Sequence, residues 1–226
     1  MNAGFIRLSF ACCAVCAGLI AGPPTRTALT VVMDFEAPHS VASFASLDNN
    51  LNALLSPAGI TVELQTRDSL PPNPQFKQLV VFKMKGSCSM TPVPIGALSD
   101  ERGPLAMAFS SDGQVLHFGE VQCDRLRHSL ERVLTPGGSP RNQRTFGSAL
   151  AVVMAHELYH MLANEKEHTH KGISKPSLSA DELVASRLAL PADALLAIQE
   201  DLQVNVGGGK ALTSDELSKK KRRGDW

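Results

Sequence analysis

Net charge is the first thing this chain lacks. Its 226 residues carry 22 Lys and Arg against 22 Asp and Glu, so no global field draws it to nucleic acid or to an anionic membrane surface. Aromatic residues are scarce, at 5% with one Trp and one Tyr. Even so, 43% apolar side chains over this length suffice for one core of the α/β or α+β type. There is no internal repeat, no second domain and no recognisable pro-segment. Near the N-terminus an uncharged, mostly apolar run, Leu8–Ile20, is thirteen residues long, short of the roughly 20 that span a bilayer comfortably.

What that run does offer is an export signal. Arg7 precedes it and the small residues Ala17, Ala21 and Gly22 close it, the layout of a secretory signal peptide. No lipobox Cys follows. The predicted organisation is a signal peptide at 1–28, a single domain at 29–204 and a disordered polar and basic tail at 205–226. Secreted or periplasmic location follows, and membrane attachment only if the N-terminal segment stays uncleaved. Cysteine usage agrees. Cys12, Cys13 and Cys16 lie inside the signal, which leaves Cys88 and Cys123 as an even pair in an oxidising compartment. A disulfide between them is predicted.

Along the chain, Leu29–Phe35 reads as a strand, and Ser40–Leu55 as an amphipathic helix with Phe44, Leu47, Leu51 and Leu54 on one face. Gly59 suits a turn into a second strand, Ile60–Leu64, and Leu79–Met84 is a third. Leu105–Ser110 and Gln114–Val121 flank Ser111-Asp112-Gly113, a hairpin signal. A short helix is expected at Arg125–Leu134, then a flexible connection, Thr135–Asn142, then a long helix, Thr145–Ala163. Ser179 and Glu182 form a capping-box pattern opening a helix to about Leu190, and Pro191 precedes a last one, Ala192–Leu202. The expected fold is α+β, a small twisted mixed sheet of four to five strands packed on helices.

Chemistry concentrates on the long helix. His156-Glu157-Leu158-Tyr159-His160 is an H-E-x-x-H pattern. Residues four apart share a helix face, so both imidazoles reach one ion. Glu157 lies about 100° round, where it can hold a water without binding the metal. Between Arg144 and Glu165 these three are the only acidic, basic or imidazole side chains, amid Phe146, Leu150, Val153, Met154, Leu158, Met161 and Leu162. Such a helix is buried, and bare histidines and a carboxylate there are costly unless compensated. A divalent zinc compensates them. Tyr159 is read as packing, and His39, His117 and His128 as ordinary surface or core histidines.

A catalytic zinc takes three protein ligands and keeps one position open. His168 is the favoured third ligand, eight residues after His160, provided the chain doubles back at Asn164, a residue that tolerates the left-handed conformation. His170 and Glu182 are the alternatives.

The stretch from His156 through His160 and His168 to Gly172-Ile173 resembles a group of small, exported bacterial metzincin-like zinc metalloproteases, whose pattern is H-E-x-x-H, seven residues, then His and shortly Gly-Ile. Ser174 stands where Met is frequent in that group, and no Met follows Met161. The resemblance implies a zincin-like fold around a central buried active-site helix. It also implies one zinc on His156, His160 and His168, with Glu157 as general base. The expected activity is hydrolysis of peptide or protein substrates, with the 105–121 hairpin as a docking edge. The rival reading is a non-catalytic binding protein on the same scaffold, zinc-bearing or metal-free.

Overall fold

The computed structural model describes residues 26–90, 103–134 and 139–207. Residues 1–25 of the predicted signal peptide and the tail from residue 208 onward lie outside the described residues, while Thr27 and Ala28, placed in that peptide by the expected boundary at 28, belong to the first strand. Five strands form one sheet: β1 (Thr27–Phe35), β2 (Ile60–Thr66), β3 (Leu79–Lys85), β4 (Ala106–Ser111) and β5 (Gln114–Gln122). Their order is β2-β1-β3-β5-β4, parallel except for β4, which runs antiparallel along β5 at one edge. The helices are α1 (Val41–Leu55), α2 (Cys123–Leu130), α3 (Pro140–Leu162), α4 (Ala180–Leu183) and α5 (Ala192–Gly207). This is the α+β arrangement expected of the sequence, with a mixed sheet packed on helices. Among the described residues no helix is long and apolar enough to cross a membrane.

Alternation along the strands decides which sheet face is covered. Leu29, Val31 and Met33 of β1 and Val80, Phe82 and Met84 of β3 are buried in one core cluster with the apolar residues of α1 and α3. On the other face Leu116 and Phe118 of β5 stay about two-fifths exposed. The β4–β5 hairpin turns on Asp112 and Gly113, both with positive φ (51° and 85°), as a two-residue turn matched to strand twist requires. Cys88 and Cys123 form the expected disulfide, tying the segment after β3 to the start of α2. Closing a loop of that size stabilises the fold by roughly 3–4 kcal/mol in the chain-entropy model.

Helix α3 is the centre of the molecule. It starts at Pro140, five residues before the expected Thr145, because Ser139 caps it by accepting from the Asn142 N–H at 3.2 Å and Pro140 fits the first turn. Its middle and end, from Phe146 to Leu162, are buried nearly all the way round. Two small-residue contacts let α1 cross it closely: Ser46 Oγ donates to the Arg144 carbonyl at 2.8 Å, and a Cβ on Gly147 would sit 2.1 Å from the Ser43 carbonyl oxygen.

Other boundaries differ from expectation as well. Strand β1 begins two residues before Leu29, with Thr27 paired to Ile60. Helix α2 ends at Leu130 rather than Leu134. Helix α4 has the predicted capping box, Ser179 with Glu182, yet stops after Leu183 instead of reaching Leu190. Helix α5 runs to Gly207, so residues 205–207 of the expected tail are helical.

Candidate metal centre

His156, Glu157 and His160 lie near the C-terminal end of α3, where helical spacing puts the two imidazoles side by side. Their rings are 4.8 Å apart by centroid, and the two Nε2 atoms face each other at 3.2 Å. The helix then stops. Ala163 is the last residue with helical angles, Asn164 takes φ +46°, and the Glu165 N–H returns to the His160 carbonyl at 3.1 Å. This is the left-handed ending expected of Asn164. Its side chain also links to the hairpin, where Oδ1 accepts from the Val115 N–H at 2.9 Å and Nδ2 donates to Gln114 at 3.1 Å.

The chain leaving that turn brings His168 back to the helix. Its ring stacks on His156 at 5.1 Å and meets His160 edge-on at 4.8 Å. One ring nitrogen from each of the three histidines lies within 4.8 Å of the others. His170 is exposed and outside this group. Glu182 is outside it too, and its carboxylate is already engaged by Lys175, the Ser179 N–H and the Ser179 hydroxyl. The Lys175 ammonium, first among these, holds Glu182 well below the usual carboxylate range, at about 2.

Hydrogen bonding fixes the tautomers of the helix pair. His156 Nδ1 lies 2.7 Å from the Ile173 carbonyl oxygen, and His160 Nδ1 lies 2.7 Å from the Glu165 carbonyl oxygen. A carbonyl only accepts, so each Nδ1 carries the proton and each neutral ring turns a bare Nε2 lone pair inward. Protonating them is disfavoured. Burial, reinforced by the neighbouring imidazoles, lowers His156 to about 4 against the pull of its carbonyl partner. His160 is lowered in the same way, burial first. Two unprotonated lone pairs 3.2 Å apart repel unless a cation lies between them.

That spacing fits a metal ion. In a tetrahedral zinc site with Zn–N of about 2.0–2.1 Å, two imidazole nitrogens stand about 3.3 Å apart. The donor set is three imidazoles, with a carbonyl behind each of the two helical rings, the usual outer support of metal-binding histidines. No pattern in the sequence marks Ile173 and Glu165 as acceptors, since backbone carbonyls carry no residue signature.

Glu157 completes the centre. It is buried, 6% exposed, and burial raises its carboxyl to about 7, partly opposed by the Ala108 N–H of β4, which donates to it. Two cavities meet at Glu157 and His156. One, of about 270 Å³, runs between Leu105, Val153, Leu178 and Leu183. The other, of about 440 Å³, opens between β4 and the 165–168 segment and reaches all three histidines. Tyr159 is 4% exposed, and its hydroxyl donates to the Glu167 carbonyl at 3.4 Å, a packing role. The open cleft therefore lies beside a buried carboxylate and three converging ring nitrogens.

No protein-family model and no curated protein sequence matches the chain. Among solved structures, it is similar to the crystal structure of an archaemetzincin from Methanopyrus kandleri, with a TM-score of 0.48 and 13% identity over 81% of this chain and 99% of that one. At that distance the likeness carries no functional weight, and the chemistry has to be read from the residues of the site itself.

Proposed function

We propose that this protein is a zinc-dependent metallopeptidase that hydrolyses peptide bonds outside the cytoplasm once the signal segment has been removed. His156, His160 and His168 hold one zinc, and Glu157 is the general base. The observation that carries the reading is the convergence of one ring nitrogen from each of three histidines next to a buried carboxylate, at the floor of an open cleft. The Cys88–Cys123 disulfide supports an oxidising compartment.

When bound, zinc supplies Lewis acidity to the scissile carbonyl and makes a water acidic enough to attack it near neutral pH. The chain's own residues do the rest. Glu157 takes a proton from the attacking water as the C–O bond forms, then delivers it to the leaving nitrogen as the C–N bond breaks. The products are a carboxylate and an amine. In the metal-free chain burial raises its carboxyl to about 7, above the ordinary carboxylate range, which makes it a stronger base toward that proton. Strand β4 is one edge of the sheet, paired only with β5 among the described residues, and Met107, Ala108 and Ser110 line the cleft. An extended peptide laid along that edge by backbone pairing passes directly over Glu157.

The test is digestion of an unfolded protein by the mature chain, with and without chelator. Cleavage is expected with one equivalent of zinc, and its loss in Glu157→Gln with zinc content unchanged. Stoichiometric zinc without any cleavage sinks the peptidase and leaves a zinc-bearing binding protein.

A further inference from the structure

We propose that Thr169 and Ser174 are positioning residues that lock the metal loop, so that His168 and the carbonyl orienting His156 are held as one unit. This rests on the zinc reading above. The need for such a lock is plain from the site. The ring of His168 makes no hydrogen bond among the described residues and is exposed, so its place is set by its backbone and by stacking on His156. His156 in turn is oriented by the Ile173 carbonyl. Both depend on the path of residues 168–174.

That path is closed by Thr169, next to His168, and Ser174, next to Ile173. The Thr169 N–H donates to the Ser174 carbonyl at 2.9 Å, and the two hydroxyls meet at 2.6 Å. Thr169 Oγ1 also donates to the Lys171 carbonyl at 3.0 Å and accepts from the Lys171 N–H at 3.4 Å. Ser174 is fully buried, at 0% exposure. A hydroxyl in such a place is costly unless bonded, and here its bonds point to the Thr169 and Lys171 groups that close the loop. From outside, the Ile173 N–H donates to the Ala189 carbonyl at 3.0 Å, which fixes the turn to the body of the domain. Groups that hydrogen-bond a ligating ring typically tune metal affinity by roughly 10–100-fold; the Ile173 carbonyl is such a group for His156, and Thr169 and Ser174 act through it by holding the loop.

Three variants of the mature chain test this: Thr169→Val, which keeps the shape and removes the hydroxyl; Thr169→Ser, which restores the hydroxyl; and Ser174→Ala. Zinc dissociation constants are measured by chelator competition, and melting of the metal-free proteins is followed separately. The expected result is a roughly 10–100-fold weaker zinc complex for Thr169→Val and Ser174→Ala, with Thr169→Ser near the parent. Parent-like affinity in both Thr169→Val and Ser174→Ala overturns the lock, as does equal weakening in Thr169→Ser. If Ser174→Ala does not fold, the two Thr169 variants decide. A parent that takes up no zinc overturns the metal reading itself. The lock then stands or falls on the His156 Nδ1 proton of the metal-free chain, whose slow exchange in nuclear magnetic resonance is expected to be lost in Thr169→Val.

Discussion

His156 and His160 stand on a helix that is buried almost all round, whereas His168 stands on an exposed segment that has left it. The first two are placed by periodicity. Once α3 forms, the four-residue spacing puts them face to face, and two carbonyls fix their tautomers. The third is placed by a chain of loop contacts, from the Asn164 turn through Thr169 and Ser174 to Ala189. The difference teaches where the centre is preformed and where it is adjustable. The helical pair is placed by the core and oriented by carbonyls of the segment that follows; the loop histidine is placed by that segment alone.

The sharpest way to break that contrast is to remove one ligand from each side. His156→Ala is expected to abolish one-equivalent zinc binding in equilibrium dialysis, and His168→Ala to leave weaker but measurable binding on the helical pair. Equal loss in both would mean that the loop is as preformed as the helix.

Glu157 measures what the buried helical side costs. Burial raises its carboxyl from the ordinary 4.5 to about 7, so the neutral form is the one the fold favours. Stability from this group is present below pH 4.5 and is lost as pH rises through 7. Gln mimics the neutral acid. Metal-free Glu157→Gln should therefore match the parent near pH 4 and exceed it by roughly 3 kcal/mol at about pH 8, at about 1.36 kcal/mol per unit. Urea unfolding at the two pH values checks it.

Two glycines sharpen the comparison on a smaller scale. At Gly147 a Cβ meets the Ser43 backbone oxygen at 2.1 Å, where α1 crosses α3. Gly147→Ala should lower global stability by about 1–3 kcal/mol, as overpacking does. Gly172 belongs to the loop; its φ is +61°, and a Cβ there would stand 2.4 Å from the Ala189 oxygen. Gly172→Ala should cost about 1–2 kcal/mol, with zinc retention suffering before the melting temperature does. Thermal melts with and without zinc check both variants.

The parts of this centre that could be read in the sequence are those with a local signature. The i, i+4 histidines, the positive-φ asparagine, the Ser179–Glu182 box and the Asp112-Gly113 turn each carry one, and each forms as expected. The parts that could not be read are set by distant chain. Ile173 and Glu165 act through carbonyls, which every residue has. Gly147 looks like a helix-weakening residue until α1 is packed on it. The start of α3 is hidden by the turn-rich run Thr135–Pro140, although Ser139 followed by Pro140 is itself a cap-and-first-turn signal. The position of β4 as the edge beside Glu157 depends on strand order, which no local pattern encodes.

The central claim is that three histidines, two from the helix and one from the loop, hold a single ion. X-ray absorption at the zinc edge of protein carrying one equivalent tests it most directly. Three imidazole nitrogens at about 2.0–2.1 Å with one further oxygen donor from water are predicted; a site with two imidazoles, or one completed by a protein carboxylate, would contradict it.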